Sequence, residues 1–244
     1  MIARVDAAPS EVTALWARYD IHGVHITVES DVSAASDAVA TAYGAFAESR
    51  PVGHDSVALV VRRDETRFRL VDHRGRASVV PTGTDAVLGL LDRVVEAVLD
   101  GLAGRGILGT HAGVVEIGGR AFLLAGQSGR GKSTLTLGLV RRGAGFLTDE
   151  LALITSTDTV LPYPRALHVR PSTVDLLPEL EFLRARPRHD LGAGSEWSVT
   201  IDDLVRAFET RTPGPIPLGG IVLIGTEPDP NRTPVIVSMS AIMP

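Results

Sequence analysis

Nine residues, GQSGRGKST at 126–134, constrain this chain more than any other stretch. Gly126, Gly131, Lys132 and Ser133 satisfy G-x-x-x-x-G-K-[ST] without a mismatch. Such a loop requires a strand that enters it and a helix that leaves it. Glycines let successive amides curl towards one anion, and the helix start adds its positive dipole end. Both flanks are present, because RAFLLAG reads as a strand into the loop and KSTLTLGLV as a helix out of it. Ser128, Gly129 and Thr134 complete the expected phosphate lining. The motif predicts a nucleoside triphosphate, ATP, with Lys132 reaching the β- and γ-phosphates and Ser133 ligating Mg²⁺.

Around that loop the pattern alternates strands and helices. VHITVES (24–30) reads as the first strand, and 31–49 as a helix with Val32, Ala35, Val39, Ala42 and Phe46 on one face. SVALVVRR and TRFRLVDH suggest a hairpin about Asp64 and Glu65, with ASVVP as a further short strand. Thr84 is the expected N-cap of a long helix to Ala103, with a stripe of Val87, Leu88, Leu91, Val94, Val95, Val98, Leu99 and Leu102. HAGVVEIGGRAFLLAG reads as two strands turning at Gly118-Gly119, AGFLTDELALIT as a strand with a following strand or turn, and ALHVRP as another strand. Within 171–217, RARPRHDLGAGSEW and TRTPGPIP carry loop signals, and GGIVLIGTEP (219–228) reads as a late buried strand. The expected fold class is α/β, a P-loop mixed-sheet core at 105–244 with a smaller N-terminal α+β portion at 1–104 that serves as scaffold.

Composition narrows the setting. A formal charge of −5 provides no basic field for nucleic acid. No stretch approaches the apolar length of a membrane span, and the charged start MIARVDAAPSEVTALWARYD lacks a signal-peptide core. With no cysteine, thiolate metal sites and cysteine nucleophiles are excluded. The expectation is a cytoplasmic protein without a membrane or nucleic-acid partner. The apolar close VIVSMSAIMP reads as a chain shorter than its relatives.

Three further features carry chemistry. Asp149 and Glu150 end an apolar strand soon after the loop helix, a position from which an acid serves the magnesium site. If the chain turns there, one carboxylate binds metal and the other meets a substrate hydroxyl. His111 opens the hairpin that feeds the loop. In PYPRALHVRP, Arg165 and Arg170 offer forked donors suited to phosphate or carboxylate.

Taken together, residues 105 to 171 resemble the catalytic core of HPr kinase/phosphorylase. His111, Lys132, Ser133, Arg142-Gly143 and Asp149 fall at that family's positions, and TDELALI followed by PYPRALHVRP is similar to the HPr-kinase-related, lasso-peptide-kinase-like subgroup. The resemblance implies a phosphoenolpyruvate-carboxykinase-like nucleotide fold and phosphoryl transfer to a serine hydroxyl. It implies Asp149 as general base, His111 and Lys132 beside the transferred phosphoryl group, Arg165 among the nucleotide's contacts, and Mg²⁺ held by Ser133 with Asp149 or Glu150. A peptide or protein acceptor is implied, foremost the precursor of a modified peptide, and a homo-oligomer as in the hexameric HPr kinases. Glu150 departs from the family's usual second aspartate, and the segment that grips HPr has no clear counterpart. A kinase of a small hydroxylated metabolite and a non-catalytic nucleotide sensor remain alternatives.

Overall fold

The structure is a computed structural model that describes residues 15–48, 57–190 and 194–225. It is a mixed α/β architecture of three sheets. The chain begins with a hairpin, β1 (Leu15–Ile21) and β2 (Val24–Ser30), turned by His22 and Gly23 at positive φ. The expectation that VHITVES comes first is corrected, since LWARYDI precedes it and buries Tyr19 and Ile21 on alternate positions. α1 (Ser33–Tyr43) is shorter than 31–49, because a 3-10 turn at Gly44–Phe46 takes over. Then follow β3 (Val57–Asp64), β4 (Arg67–Val71), β5 (Ala77–Val80) and α2 (Gly83–Ala103).

β1 to β5 pair in sequence order, with β2 and β3 parallel across α1. The N-cap of α2 is Thr82 rather than Thr84, for its Oγ1 accepts the Asp85 N–H at 3.1 Å. α2 buries Ala86, Leu90, Val94 and Val98, while Leu88, Val95 and Leu99 of the expected stripe are only half-buried. Leu99 packs onto Gly109, where a Cβ would sit 2.2 Å from Leu99 Cδ2.

The loop lies in a seven-stranded sheet. Its members are β6 (Ile107–His111), β7 (Gly113–Ile117), β8 (Arg120–Ala125), β9 (Gly145–Thr148), β10 (Leu151–Thr155), β11 (Thr159–Leu161) and, late in the chain, Ile216–Leu223. β6 and β7 are one strand broken at Ala112, and β9 and β10 one strand broken at Asp149-Glu150. The two run antiparallel from Ile107 opposite Thr155 to Glu116 opposite Gly145. Because β10, β11, the late strand, β8 and β7 pair in turn, the pairings close a circuit. Its interior is narrow and holds Ala112, Val114, Ala121, Leu123, Leu147, Ala152 and Val160. The Gly118-Gly119 turn stands as expected, both residues at positive φ. α3 (Lys132–Val140) leaves the loop from Lys132, also as expected.

A third sheet joins β12 (Leu167–Val169), β14 (Ser195–Val199) and β13 (His189–Asp190). TRTPGPIP is loop up to Pro215 as expected, but β13 and β14 correct the loop reading of RARPRHDLGAGSEW, and α4 (Pro171–Leu176), a 3-10 helix at Pro178–Ala185 and α5 (Ile201–Phe208) complete the region. Its elements are too short for periodicity to reveal, but they bury Leu180, Leu183, Trp197 and Leu204 against α3. At α5, Thr200 Oγ1 accepts from the Asp203 N–H (3.2 Å) and Asp203 Oδ2 accepts from the Thr200 N–H (3.0 Å). Burial works against the Asp203 charge, but the paired Arg186 guanidinium (2.7 and 2.8 Å) and Thr200 hold its carboxyl below the usual range. Asp203→Ala removes the cap and strands Arg186, so stability will fall by about 2–4 kcal/mol. Urea denaturation reads this, and a loss under about 1 kcal/mol would show that the pair is dispensable.

β15 (Ile216–Leu223) corrects the buried late strand. It pairs on both edges, yet Ile221, Val222 and Leu223 are all exposed, for no described element covers either face of its end. The first core extends past residue 104, for Leu151, Leu153 and Tyr163 pack with Tyr43 and Leu91. Among the described residues, no helix is long and apolar enough to cross a membrane.

Candidate active site

Gly129 and Gly131 take the loop round with φ of 78° and 85°, a left-handed backbone that side-chain-bearing residues rarely adopt. Lys132 is buried at the start of α3. Its Nζ donates back to the carbonyls of Gly126 (2.8 Å) and Gln127 (3.4 Å). Gly126 does not line the cleft. Instead a Cβ there would lie 3.1 Å from Ile224 Cβ and 3.2 Å from its carbonyl oxygen, so glycine lets β8 and the chain after β15 meet. Ser128, Gly129, Gly131, Lys132, Ser133 and Thr134 all line one cleft of about 460 Å³. Thr134 already shares a hydrogen bond with Thr173, at 2.8 Å between hydroxyls.

The break between β9 and β10 brings the acids to the same cleft. Thr148 Oγ1 accepts from the N–H groups of Glu150 (3.2 Å) and Leu151 (3.3 Å), which bends the chain at the pair. The parallel break in the partner strand is held to it, the Ala112 N–H donating to Glu150 O at 3.2 Å. His111 therefore closes β6 rather than opening the hairpin. It is exposed, and it lines the cleft with Asp149 and Glu150.

The two carboxylates diverge in environment. Asp149 Oδ1 is closed off from solvent and has no hydrogen-bond partner, as is Thr136 Oγ1 nearby. Burial pushes the Asp149 carboxyl up to about 6. The hydroxyls of Ser133 and Thr136 and the charge of Lys132 pull the other way, and the Glu150 charge adds to the rise. Space here is tight, since a Cβ on Gly113 would sit 2.6 Å from Thr136 Oγ1 and 3.5 Å from Asp149 Oδ1. Glu150 is half exposed and paired with Arg165 Nη1. Arg165 is buried and lies over the Tyr43 ring, 5.4 Å from its centroid, and the Tyr163 hydroxyl donates to Tyr43 Oη at 3.3 Å. The guanidinium is thus committed to an acid and an aromatic ring, though Arg165 lines the cleft.

Sequence reasoning passed over several wall residues. Asp92 on α2 lines the cleft within electrostatic reach of Glu150, and Leu88 and Leu91 accompany it. Leu88 and Leu91 stood in the apolar stripe of α2, read there as scaffold, and the exposed Asp92 lay outside it. His168, Thr173 and Glu196 also line the wall, beside the anticipated Arg170. Burial and then the Arg165 charge hold His168 below the usual imidazole range.

Comparison of the chain with models of known protein families and with curated proteins found no match.

The residues present fit a triphosphate and a divalent cation. Lys132 and the loop amides form a cationic cradle, and a buried, unpartnered carboxylate oxygen lies beside the Ser133 hydroxyl. Ser133 and Asp149 are the groups that would hold Mg²⁺. Glu150 is tied to Arg165.

Proposed function

We propose that this protein is an ATP- and Mg²⁺-dependent kinase that transfers a phosphoryl group to a serine or similar hydroxyl of a peptide or protein. The reading includes a P-loop core of the HPr-kinase, phosphoenolpyruvate-carboxykinase-like kind and a cytoplasmic setting. One observation carries it: Asp149, whose Oδ1 is closed off from solvent without a hydrogen-bond partner, stands beside Ser133 of the glycine loop, in the cleft that His111 also lines.

Each residue has a definite task. The loop amides and Lys132 bind the triphosphate and neutralise its charge as the terminal phosphoryl group departs. Mg²⁺ held by Ser133 and Asp149 would supply further charge neutralisation. Asp149 has two oxygens and so can face Ser133 with one and hold the acceptor hydroxyl with the other. The acceptor oxygen forms the new P–O bond, the bond to the ADP oxygen breaks, and the hydroxyl proton passes to Asp149. Arg165 pairs with Glu150 and holds it in place at the corner. A raised carboxyl pKa favours proton acceptance, because Asp149 is then a stronger base than an exposed aspartate.

Incubation of the protein with ATP, Mg²⁺ and serine-containing peptides should yield a phosphopeptide by mass spectrometry together with one equivalent of ADP. Phosphate appearing only on small alcohols would move the acceptor to a metabolite. ATP bound tightly with neither product would make the protein a nucleotide sensor.

A further inference from the structure

Beside the phosphate cleft lies a larger cavity of about 690 Å³. Leu91, Ala166 and His168 line both, so the two cavities adjoin along these residues. One side of the larger cavity is α1 with the start of α2, and the other is the third sheet. Ala34, Ala38 and Ala42 face it from α1, four residues apart and therefore in one row along the helix. Single methyl groups leave the floor wide and without a deep specificity pocket. The charged groups, Asp37 and Arg188, are exposed at its rim.

We propose that this groove seats the acceptor as an extended peptide segment, its small uncharged side chains against the alanine row and its hydroxyl carried past His168 to Asp149. The proposal rests on the kinase reading of the phosphate cleft and adds the acceptor's path. A small polar metabolite needs converging buried polar groups to fix it, and none of this cavity's polar side chains, Thr41, Thr84, His168, His189 and Ser198 among them, is buried. A peptide instead uses length, shape and backbone. The backbone has a partner to hand, because β13 pairs only with β14 among the described residues and His189 of that edge strand lines the groove. The opposed rim charges of Asp37 and Arg188 suit a neutral chain and disfavour a strongly charged one.

The test fills the groove with a side chain. α1 packs through Ala35, Val39 and Ala42, so Ala38→Trp and, separately, Thr41→Trp leave its buried face unchanged. The probes are fluorescently labelled short peptides with one serine flanked by Ala, Gly and Val, offered with a non-hydrolysable ATP analogue and then with ATP. The wild type binds them and each tryptophan variant weakens binding about tenfold or more. ATP affinity, melting temperature and any phosphorylation of free glycerol stay as in the wild type. Peptides that bind in the groove without being phosphorylated would sink the kinase reading and leave the groove standing. Absence of peptide binding, or binding and turnover indifferent to both tryptophans, would overturn the groove assignment even if the wild type phosphorylates an alcohol.

Discussion

Asp149→Asn should sharply slow the proposed phosphoryl transfer and, in ligand-free buffer without divalent cations, make the protein more stable at neutral pH. Both effects follow from one placement. The carboxyl sits at about 6 in the fold against 3.8 as a free side chain, so folding favours its protonated form. Stability from that preference is fully present below the unfolded value and is lost as pH rises through the folded one. Near pH 7.5 the native state bears a sealed negative charge that costs about 2–3 kcal/mol. Asparagine keeps the shape and omits the charge, so the gain over wild type should be of that order at pH 7.5 and should vanish near pH 4. Denaturation at the two pH values reads the difference, and an equal gain at both would disprove burial as the cause. Transfer should fall by about a hundredfold to ten-thousandfold, since asparagine cannot accept the acceptor's proton. An asparagine variant that is both more stable and fully active would remove Asp149 from the chemistry.

Lys132→Ala carries the second large effect. The ammonium is buried and bridges the Gly126 and Gln127 carbonyls. It therefore ties the loop together as well as offering charge to the anion. Removing it takes away a preorganised cation in a partly dry site, where one such donor is worth about a hundredfold to a thousandfold in turnover. ATP affinity by calorimetry should fall about tenfold or more in the same variant. Lys132→Arg should rescue little, because a planar fork cannot replace a compact ammonium in so tight a place. An alanine variant with wild-type ATP affinity would mean that the loop binds by its amides alone.

The glycine loop between its strand and its helix was legible because its turn needs positive φ at Gly129 and Gly131, a backbone that glycine adopts without strain and other residues rarely do. The hairpin at Gly118-Gly119 was legible for the same reason. β1 escaped notice although Ala17, Tyr19 and Ile21 alternate inward, since Trp16, Leu15 and the charges between them blur the period. TRTPGPIP is loop up to Pro215 as read, but the loop reading erred at RARPRHDLGAGSEW, because proline, glycine and arginine mark surface turns equally well when short strands lie between them. The late strand was read as buried from apolar content, and content does not say which face another element covers. In the site, the acids and His111 were found by spacing. The grip of Arg165 on Glu150 and the closeness of α1 and α2 were not, because long-range packing leaves no local period.

The twin breaks at Ala112 and at Asp149-Glu150 work as a mitred corner in a two-ply frame. Beyond each side of it the plies are laced together, His111 to Leu151 and Val114 to Thr148. His111 and the acid pair therefore stand on one stiff joint, and their spacing is set by the frame rather than by a loop. The alanine-floored groove hangs on separate timbers, the first helix and the third sheet. Changes there can alter which chain is admitted while the joint keeps its angle.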